Sequence, residues 1–421
     1  MIAFFRKVDF KYQIIGGLLF SALLFILFYK LGHHALADWD EAIYAEVSKE
    51  LANSSNTLVL TWGNELWFQK PPLYFWLQAA SFKLFGISEL SARLVSCLSG
   101  LLIAITLKSF TKILFKNRLI DTLGTFLIIL TPFLIYYFRF ATIDALSLLL
   151  TTLSLLYFYK AGDSPKNLIL SALFLSLSAL AKGPIIFPTL AIMLAWSAIR
   201  VYPLKTTTLN LKSASKNFIK FLLIFLVLTL PWHLYIYQKF GAQFVDQYLL
   251  YHIFGRATEA IEGHSASHLY YPRLILRNFP IILPVLLLFI LDFKRYTKFK
   301  NYLFFLLFCF LLTYFAIDLV KTKLDWYALP LFPPLLIFTS LVIGTALTSN
   351  KPGRKLLTTL SILACLIVSA VLPYGAFEQE SNQNEAKSCL QKYRVHLEKN
   401  HLTQAYLFGY QIGRASCRER V

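Results

Sequence analysis

Long apolar runs, interrupted at intervals by short polar stretches, occupy the chain from Ile14 to Tyr374. A run of roughly 20 such residues is long enough to cross a bilayer as a helix, and shorter or tilted ones also serve. About eleven can be placed by that criterion, at 14–29, 87–107, 119–137, 142–159, 167–181, 184–201, 218–237, 274–293, 302–319, 326–347 and 356–374. Lipid offers the backbone no hydrogen-bond partners, so these runs predict an all-α polytopic protein. Two long polar connections, 31–86 and 238–273, break the rhythm. Residues 72–85, with Trp76, Phe82 and Phe85, have the amphipathic character of a helix lying in the membrane interface.

Composition agrees with this pattern, since 57% of the 421 residues are hydrophobic and 15% charged, against about 25% charged in a soluble globule. The formal net charge of +19 does not point to nucleic acid, because the basic residues are distributed between the apolar runs. With a cytoplasmic N-terminus, the inner loops carry Arg6/Lys7/Lys11, Lys108/Lys112/Lys116/Arg118, Lys160/Lys166, Arg200/Lys205/Lys212/Lys216/Lys220, Lys294/Arg295/Lys298/Lys300 and Lys351/Arg354/Lys355. That excess fixes the orientation. Run 14–29 lacks a small-residue cleavage site and reads as an uncleaved first span. The five cysteines form no CxxC pair or ligand spacing and read as packing or incidental residues.

The unusual polar residues then fall in the outer connections, and their convergence on one face predicts a polar site there. The stretch Ala37-Asp38-Trp39-Asp40-Glu41-Ala42-Ile43-Tyr44-Ala45-Glu46 gathers carboxylates directly after the first span. Asp38 and Glu41 have the spacing of a capping box, and Glu46 pairs with Lys49 at helical spacing. Asp40, sharing a helix face with Tyr44, is left as either a solvated helix start or a ligand-binding or catalytic carboxylate. Lys70 precedes two prolines that hold the backbone extended, and reads as a snorkelling lysine or a phosphate ligand. Asp144 is either a first-turn acid partnered by Arg139 or a second site carboxylate. Lys182, beside the Gly183-Pro184 turn, is an interfacial anchor or a contact to an anionic headgroup. His252, Glu262 and His264 lack a fixed metal spacing, whereas Arg256 among Tyr and His neighbours suits phosphate and sugar hydroxyls. Lys321 and Lys323 run against the charge bias of the outer loops and are expected to meet an anion.

Taken together, these stretches resemble the polyprenyl-phosphate-sugar glycosyltransferases of the C-type fold, close to the bacterial lipid A aminoarabinose transferases and the protein O-mannosyltransferases. The matching residues are Trp39-Asp40-Glu41 with Tyr44-Ala45-Glu46, Lys70-Pro71-Pro72-Leu73, Arg139 to Asp144, Pro231-Trp232-His233 with Tyr251-His252 and Arg256, and Lys323 to Pro330. They occur in family order across nearly the whole membrane region. The resemblance implies that Asp40 is the catalytic carboxylate, that Asp144 belongs to the same cavity, and that Lys70 and other outer basic residues hold the donor phosphate. The substrate-binding set is expected to comprise Glu41, Tyr44, Lys70, Arg139, Lys182, His252, Arg256, Lys321, Lys323 and Tyr327. A divalent metal is left open, with Asp40, Asp144, His252 and His264 as candidate ligands. The chain departs from the aminoarabinose transferases at Ile43, where they carry a basic residue, and at Gln69, where an acid precedes the lysine.

The expected organisation is a transmembrane glycosyltransferase domain over 1–376, with loops 31–86 and 238–273 forming the active-site face. A short outer segment, 377–421, follows it, and its last residues (413–421) continue no pattern and are expected to be a truncated or foreign end. The expected location is the bacterial inner membrane, with the site periplasmic. The expected partners are a polyprenyl-phosphate-linked sugar, membrane lipid and a lipid, glycan or protein acceptor, and no nucleic acid. The alternative reading is a transporter or flippase of polyprenyl-linked glycans, which would call for inverted repeats and broken helices near the midplane. Here the polar residues gather on one face.

Overall fold

The computed structural model describes residues 2–371 apart from Asp38, 162–163, 185, 202–210 and 261–263. The expected N-cap Asp38, the acid Glu262 and the segment 377–421 lie outside the described residues. The elements run α1 (Ile2–Phe28), α2 (Asp40–Asn53), β1 (Thr61–Trp62), β2 (Glu65–Leu66), α3 (Leu73–Phe85), α4 (Glu89–Phe115), α5 (Arg118–Ile129), α6 (Pro132–Arg139), α7 (Ile143–Lys160) and α8 (Pro165–Lys182). They continue through α9 (Ile186–Val201), α10 (Leu211–Phe244), a π-helix (Val245–Gly255), α11 (Arg256–Thr258), α12 (Tyr270–Asn278), α13 (Ile282–Leu291), α14 (Phe293–Tyr296), α15 (Lys300–Leu319), a 3₁₀ segment (Asp325–Leu331), α16 (Phe332–Leu347) and α17 (Pro352–Val371).

Among the described residues, six helical segments are long and apolar enough to cross a membrane, and eight if each of two bent pairs counts as one span. The predicted run 119–137 divides into α5 and α6, inclined by 70°, and run 274–293 into α12 and α13, inclined by 92°. Each bend falls at a proline, Pro132 and Pro280, which lacks the N–H to continue the helical ladder. Runs 167–181 and 184–201 form α8 and α9, which fall short of the same measure of length and apolarity.

The largest apolar cluster joins Leu23 and Leu27 of α1, Leu107 and Phe110 of α4, Leu127 of α5, Phe138 of α6, Phe305 of α15 and Leu341 of α16. Between helices in lipid, close packing rather than water exclusion supplies the attraction. Gly100 of α4 illustrates this, since a Cβ there would lie 2.6 Å from the ring of Phe138. Leu18, Val227, Ile290 and Leu319 point away from the bundle on spanning helices, as lipid-facing side chains do.

Loop 31–86 is ordered by its own short elements. Gly63 and Asn64 both have positive φ (64° and 63°), the geometry of a type I′ turn joining β1 to β2. Glu50 of α2 accepts the Gly63 N–H at 2.7 Å and so fastens the hairpin to the helix. α3 buries Tyr74, Phe75 and Phe82 together with Gln78 and Ser81, and exposes Leu84 and Phe85. A second cluster of Tyr44, Val47 and Leu51 with Phe75, Leu146, Leu150 and Ala181 seats α2 and α3 on α7 and α8.

Candidate active site

Asp40 opens α2, directly after Trp39, whose backbone has φ 68° and ψ −118°. A tryptophan in that region of φ/ψ space is strained. Asp40 is half-buried and, among the described residues, has no hydrogen bond or ion pair. Burial raises its pKa above the usual carboxylate value, Lys70 opposes the shift, Asp144 adds to it, and Arg256 and Lys182 oppose it. These five groups, from separate parts of the chain, therefore lie within electrostatic reach of one another. Tyr44, one turn along α2, is buried against Trp67, Tyr74 and Phe75, with ring centroids 5.5–6.2 Å apart. Its hydroxyl stays protonated because burial and the charges of Asp40 and Asp144 all raise its pKa.

Lys70 reaches the same space from the irregular segment that follows the hairpin. Phe68 donates its N–H to Gln247 of the π-helix at 3.2 Å, and Trp232 of α10 donates to the Leu58 carbonyl at 2.9 Å. The segments on either side of the hairpin are thus tied to the π-helix and to α10. At the Gly183 turn the fit is tight, because a Cβ there would lie 2.5 Å from the Tyr248 hydroxyl and 3.9 Å from Pro71. Its φ of 69° also suits only glycine without strain. Among the described residues Lys70 has no ion pair or hydrogen bond. Burial first, and then the neighbouring Arg256, pull its pKa down to about 8, against the opposing pull of Asp40.

Asp144, in the first turn of α7, forms a buried ion pair with Lys182 at the end of α8. Arg139, expected as its alternative partner, donates instead to the Ile26 carbonyl of α1. The Lys182 ammonium also lies 5.4 Å from the centre of the Tyr327 ring, which brings the 3₁₀ segment to the site. His252 is buried in the π-helix, with Nδ1 lacking a hydrogen-bond partner, and it feels the charges of Lys70 and Arg256. Wide π-turns are frequent at functional sites. Here Tyr248 and His252 both face inward.

The structure does not bring all the expected residues to this cluster. Glu41 is fully buried (0% exposed). Its carboxylate takes the Arg93 guanidinium at 2.8 Å on each oxygen and the amides of Ala37 and Ala141 at 2.7 Å each. Glu41 reaches the Ala37 N–H, and no side chain caps α2 through Trp39; the Asp38 half of the expected capping box lies outside the described residues. Lys323 is held by Asp318 at 3.2 Å and lies 5.5 Å from the centre of the Tyr271 ring. Lys321 is exposed, with its N–H on the Ala257 carbonyl, and the His264 carbonyl accepts the Lys323 N–H. Among the described residues no group of three or more His, Cys, Asp or Glu is placed to hold a metal ion. Sequence reading overlooked Arg93, whose only signal was a charge near the end of an apolar run.

Residues 69–235 match the family model described as dolichyl-phosphate-mannose-protein mannosyltransferase. The chain is 30% identical over 290 residues to a protein of Aquifex aeolicus (strain VF5), an overlap of 67% of this chain and 61% of that one. It is 28% identical over 362 residues to the undecaprenyl phosphate-alpha-4-amino-4-deoxy-L-arabinose arabinosyl transferase of Shewanella sediminis (strain HAW-EB3), covering 84% of this chain and 63% of the relative. The chain thus spans 61–63% of the length of these two relatives. Its fold is similar to the crystal structure of ArnT from Cupriavidus metallidurans bound to undecaprenyl phosphate, with a TM-score of 0.67 and 18% identity over 94% of this chain and 75% of that one. The apo form of that protein gives 0.66. This multi-pass membrane chain is thus similar over residues 69–235 to the dolichyl-phosphate-mannose-protein mannosyltransferase family and in fold to ArnT.

Proposed function

We propose that the protein transfers a sugar from a polyprenyl-phosphate carrier to a hydroxyl or phosphate on an envelope lipid, glycan or protein. The reaction takes place at the periplasmic face of a bacterial inner membrane. One observation supports this reading: a half-buried carboxylate, Asp40, and a half-buried lysine, Lys70, neither with a partner among the described residues, lie within electrostatic reach of each other, of Arg256 and of the Asp144–Lys182 pair. A site with unmet demand for both a proton donor and an anion suits an acceptor hydroxyl on one side and a phosphate on the other.

Asp40 takes the proton from the acceptor as its oxygen attacks the anomeric carbon. The bond from that carbon to the phosphate oxygen breaks, and the electron pair leaves with the carrier phosphate. Lys70 and Arg256 hold the growing negative charge in a partly dehydrated cavity, where such stabilisation is strongest. Lys182, already neutralised by Asp144, adds a donor at a fixed position, and His252 offers an unused ring nitrogen to the same anion. Attack opposite the leaving group inverts the anomeric centre. The undecaprenyl phosphate bound by the similar structure supports a polyprenyl carrier, and the name of the Shewanella relative supports a sugar as its cargo.

The test is transfer of radiolabelled sugar from a panel of polyprenyl-phosphate donors in proteoliposomes, wild type against Asp40→Asn. Loss of a general base is expected to lower turnover by roughly 10²–10⁴-fold. Undiminished transfer by the variant removes Asp40 from the reaction, and flipping of the donor without any transfer by the wild type favours a transporter.

A further inference from the structure

We infer that Glu41 is a positioning residue: clamped by Arg93, its carboxylate holds the Ala37 and Ala141 amides together, so that Asp40 keeps its place within reach of Asp144 and Lys70. The inference rests on the proposed role of Asp40 as base and deepens it.

The hydrogen-bond inventory excludes a substrate contact. Each Glu41 oxygen accepts two bonds, Oε1 from Arg93 Nε and the Ala141 amide and Oε2 from Arg93 Nη2 and the Ala37 amide. Two bonds to each carboxylate oxygen use its acceptor capacity. Arg93 is occupied as well. Its Nη1 donates to the carbonyls of Leu31 and His34, and its Nη2 to that of Ala35, each at 2.9 Å. One ion pair between residues 52 apart thereby ties the end of loop 31–37, the start of α2 and the segment before α7 to α4.

Stability alone does not call for so costly a device. The pair is buried, and apolar residues in place of a buried ion pair are often no less stable. What the pair adds is a fixed backbone on both sides of Asp40. Before it stands Trp39 at φ 68°, strained and free to relax if the turn opened. The turn is closed by the Ala37 amide on Glu41 and by the Ala42 amide on the Ala37 carbonyl at 3.2 Å. After Asp40 stands Glu41 itself. The second amide it holds, Ala141, precedes Asp144 by three residues. One carboxylate thus spans the two segments that carry the cavity's acids, and a small displacement of a reacting group costs a large part of the rate.

The experiment compares wild type, Glu41→Gln and Arg93→Lys in two readouts: the Kd for a short-chain polyprenyl phosphate in detergent, and kcat with donor and acceptor saturating. The expected result is a kcat lowered about 10- to 100-fold in Glu41→Gln and less in Arg93→Lys, with Kd within about twofold of wild type because the phosphate ligands are untouched. The acid limb of kcat in Glu41→Gln is also expected to move to lower pH. Asp40 then leaves a buried position faced by Lys70, Asp144, Lys182, Arg256 and Tyr44 for water, whereas a loss of folded protein lowers the amplitude without moving the limb. If Glu41→Gln fails to bind the phosphate at all, Arg93→Lys decides: full kcat in that variant overturns the inference. A raised acceptor KM with kcat preserved in Glu41→Gln also overturns it, since Glu41 would then touch substrate. Full transfer by Asp40→Asn would sink the functional reading itself, while an inactive Asp40→Asn beside a fully active Glu41→Gln would sink this inference alone.

Discussion

Lys70 and Lys323 look alike in the sequence, each an outer-loop lysine placed where an anion is expected, yet the fold treats them in opposite ways. Lys323 is 5% exposed and already has its anion. Asp318 takes its ammonium at 3.2 Å, the Ile317 carbonyl lies 3.4 Å away, and the Tyr271 ring lies beneath it. Lys70 is half-buried with neither ion pair nor hydrogen bond among the described residues, and a second cation, Arg256, stands near it. A buried cation is costly unless paired. Where the protein provides the partner, the lysine is structural; where it withholds one, the demand is left for a ligand.

Removing each lysine breaks the comparison most sharply. Lys70→Ala is expected to weaken binding of a polyprenyl phosphate by about 10- to 100-fold, the worth of one charge-assisted contact, as read by a binding isotherm in detergent. Lys323→Ala is expected to leave that isotherm within about twofold and to lower the thermal midpoint instead, because Asp318 loses a partner. Equal losses of affinity in the two variants would erase the distinction.

The protonation of Lys70 offers a finer measure. With its pKa near 8 in the free protein, the ammonium proposed to receive the phosphate is present below that pH and lost above it. Affinity should therefore be flat on the acid side and fall by up to about tenfold per unit above pH 8. In Lys70→Arg, which stays charged throughout, this fall should disappear. A fall that persists unchanged in that variant would assign the titration to another group.

The smallest expected effect concerns the seam that carries Lys70 and Lys182 into one cavity. Gly183→Ala must place a methyl against the Tyr248 hydroxyl at a positive φ. About 1–3 kcal/mol of local strain would be relieved by shifting the turn, and phosphate affinity should drop roughly threefold to tenfold. An unchanged isotherm would mean that the turn does not set the position of either lysine.

Much of the architecture is legible because bilayer length and period are written in the apolar runs. Pro132 and Pro280 were visible as well, but a hydropathy window cannot say that a proline bends a span by 70° or 92°. Asp40 and Lys70 stood out because local structure gave them nothing to do. Glu41 did not separate from Asp40 in the same way. Its partner Arg93 is 52 residues away inside a run counted as membrane, and no spacing rule pairs residues on different helices. The same holds for Asp144 and Lys182, 38 apart, whose pairing displaced the nearer Arg139. Contacts within one turn could be inferred, whereas contacts between helices depend on how the bundle packs.

The division of labour between Asp40 and Lys70 is tested most directly by measuring two quantities on the same two variants: affinity for a sugar-free polyprenyl phosphate and turnover at saturating donor. The account predicts a crossing. Asp40→Asn should bind the phosphate at least as tightly as wild type, since it removes a negative charge beside Lys70, and yet lose turnover. Lys70→Ala should lose affinity first. Parallel losses of both quantities in both variants would contradict the assignment of separate roles within one cavity.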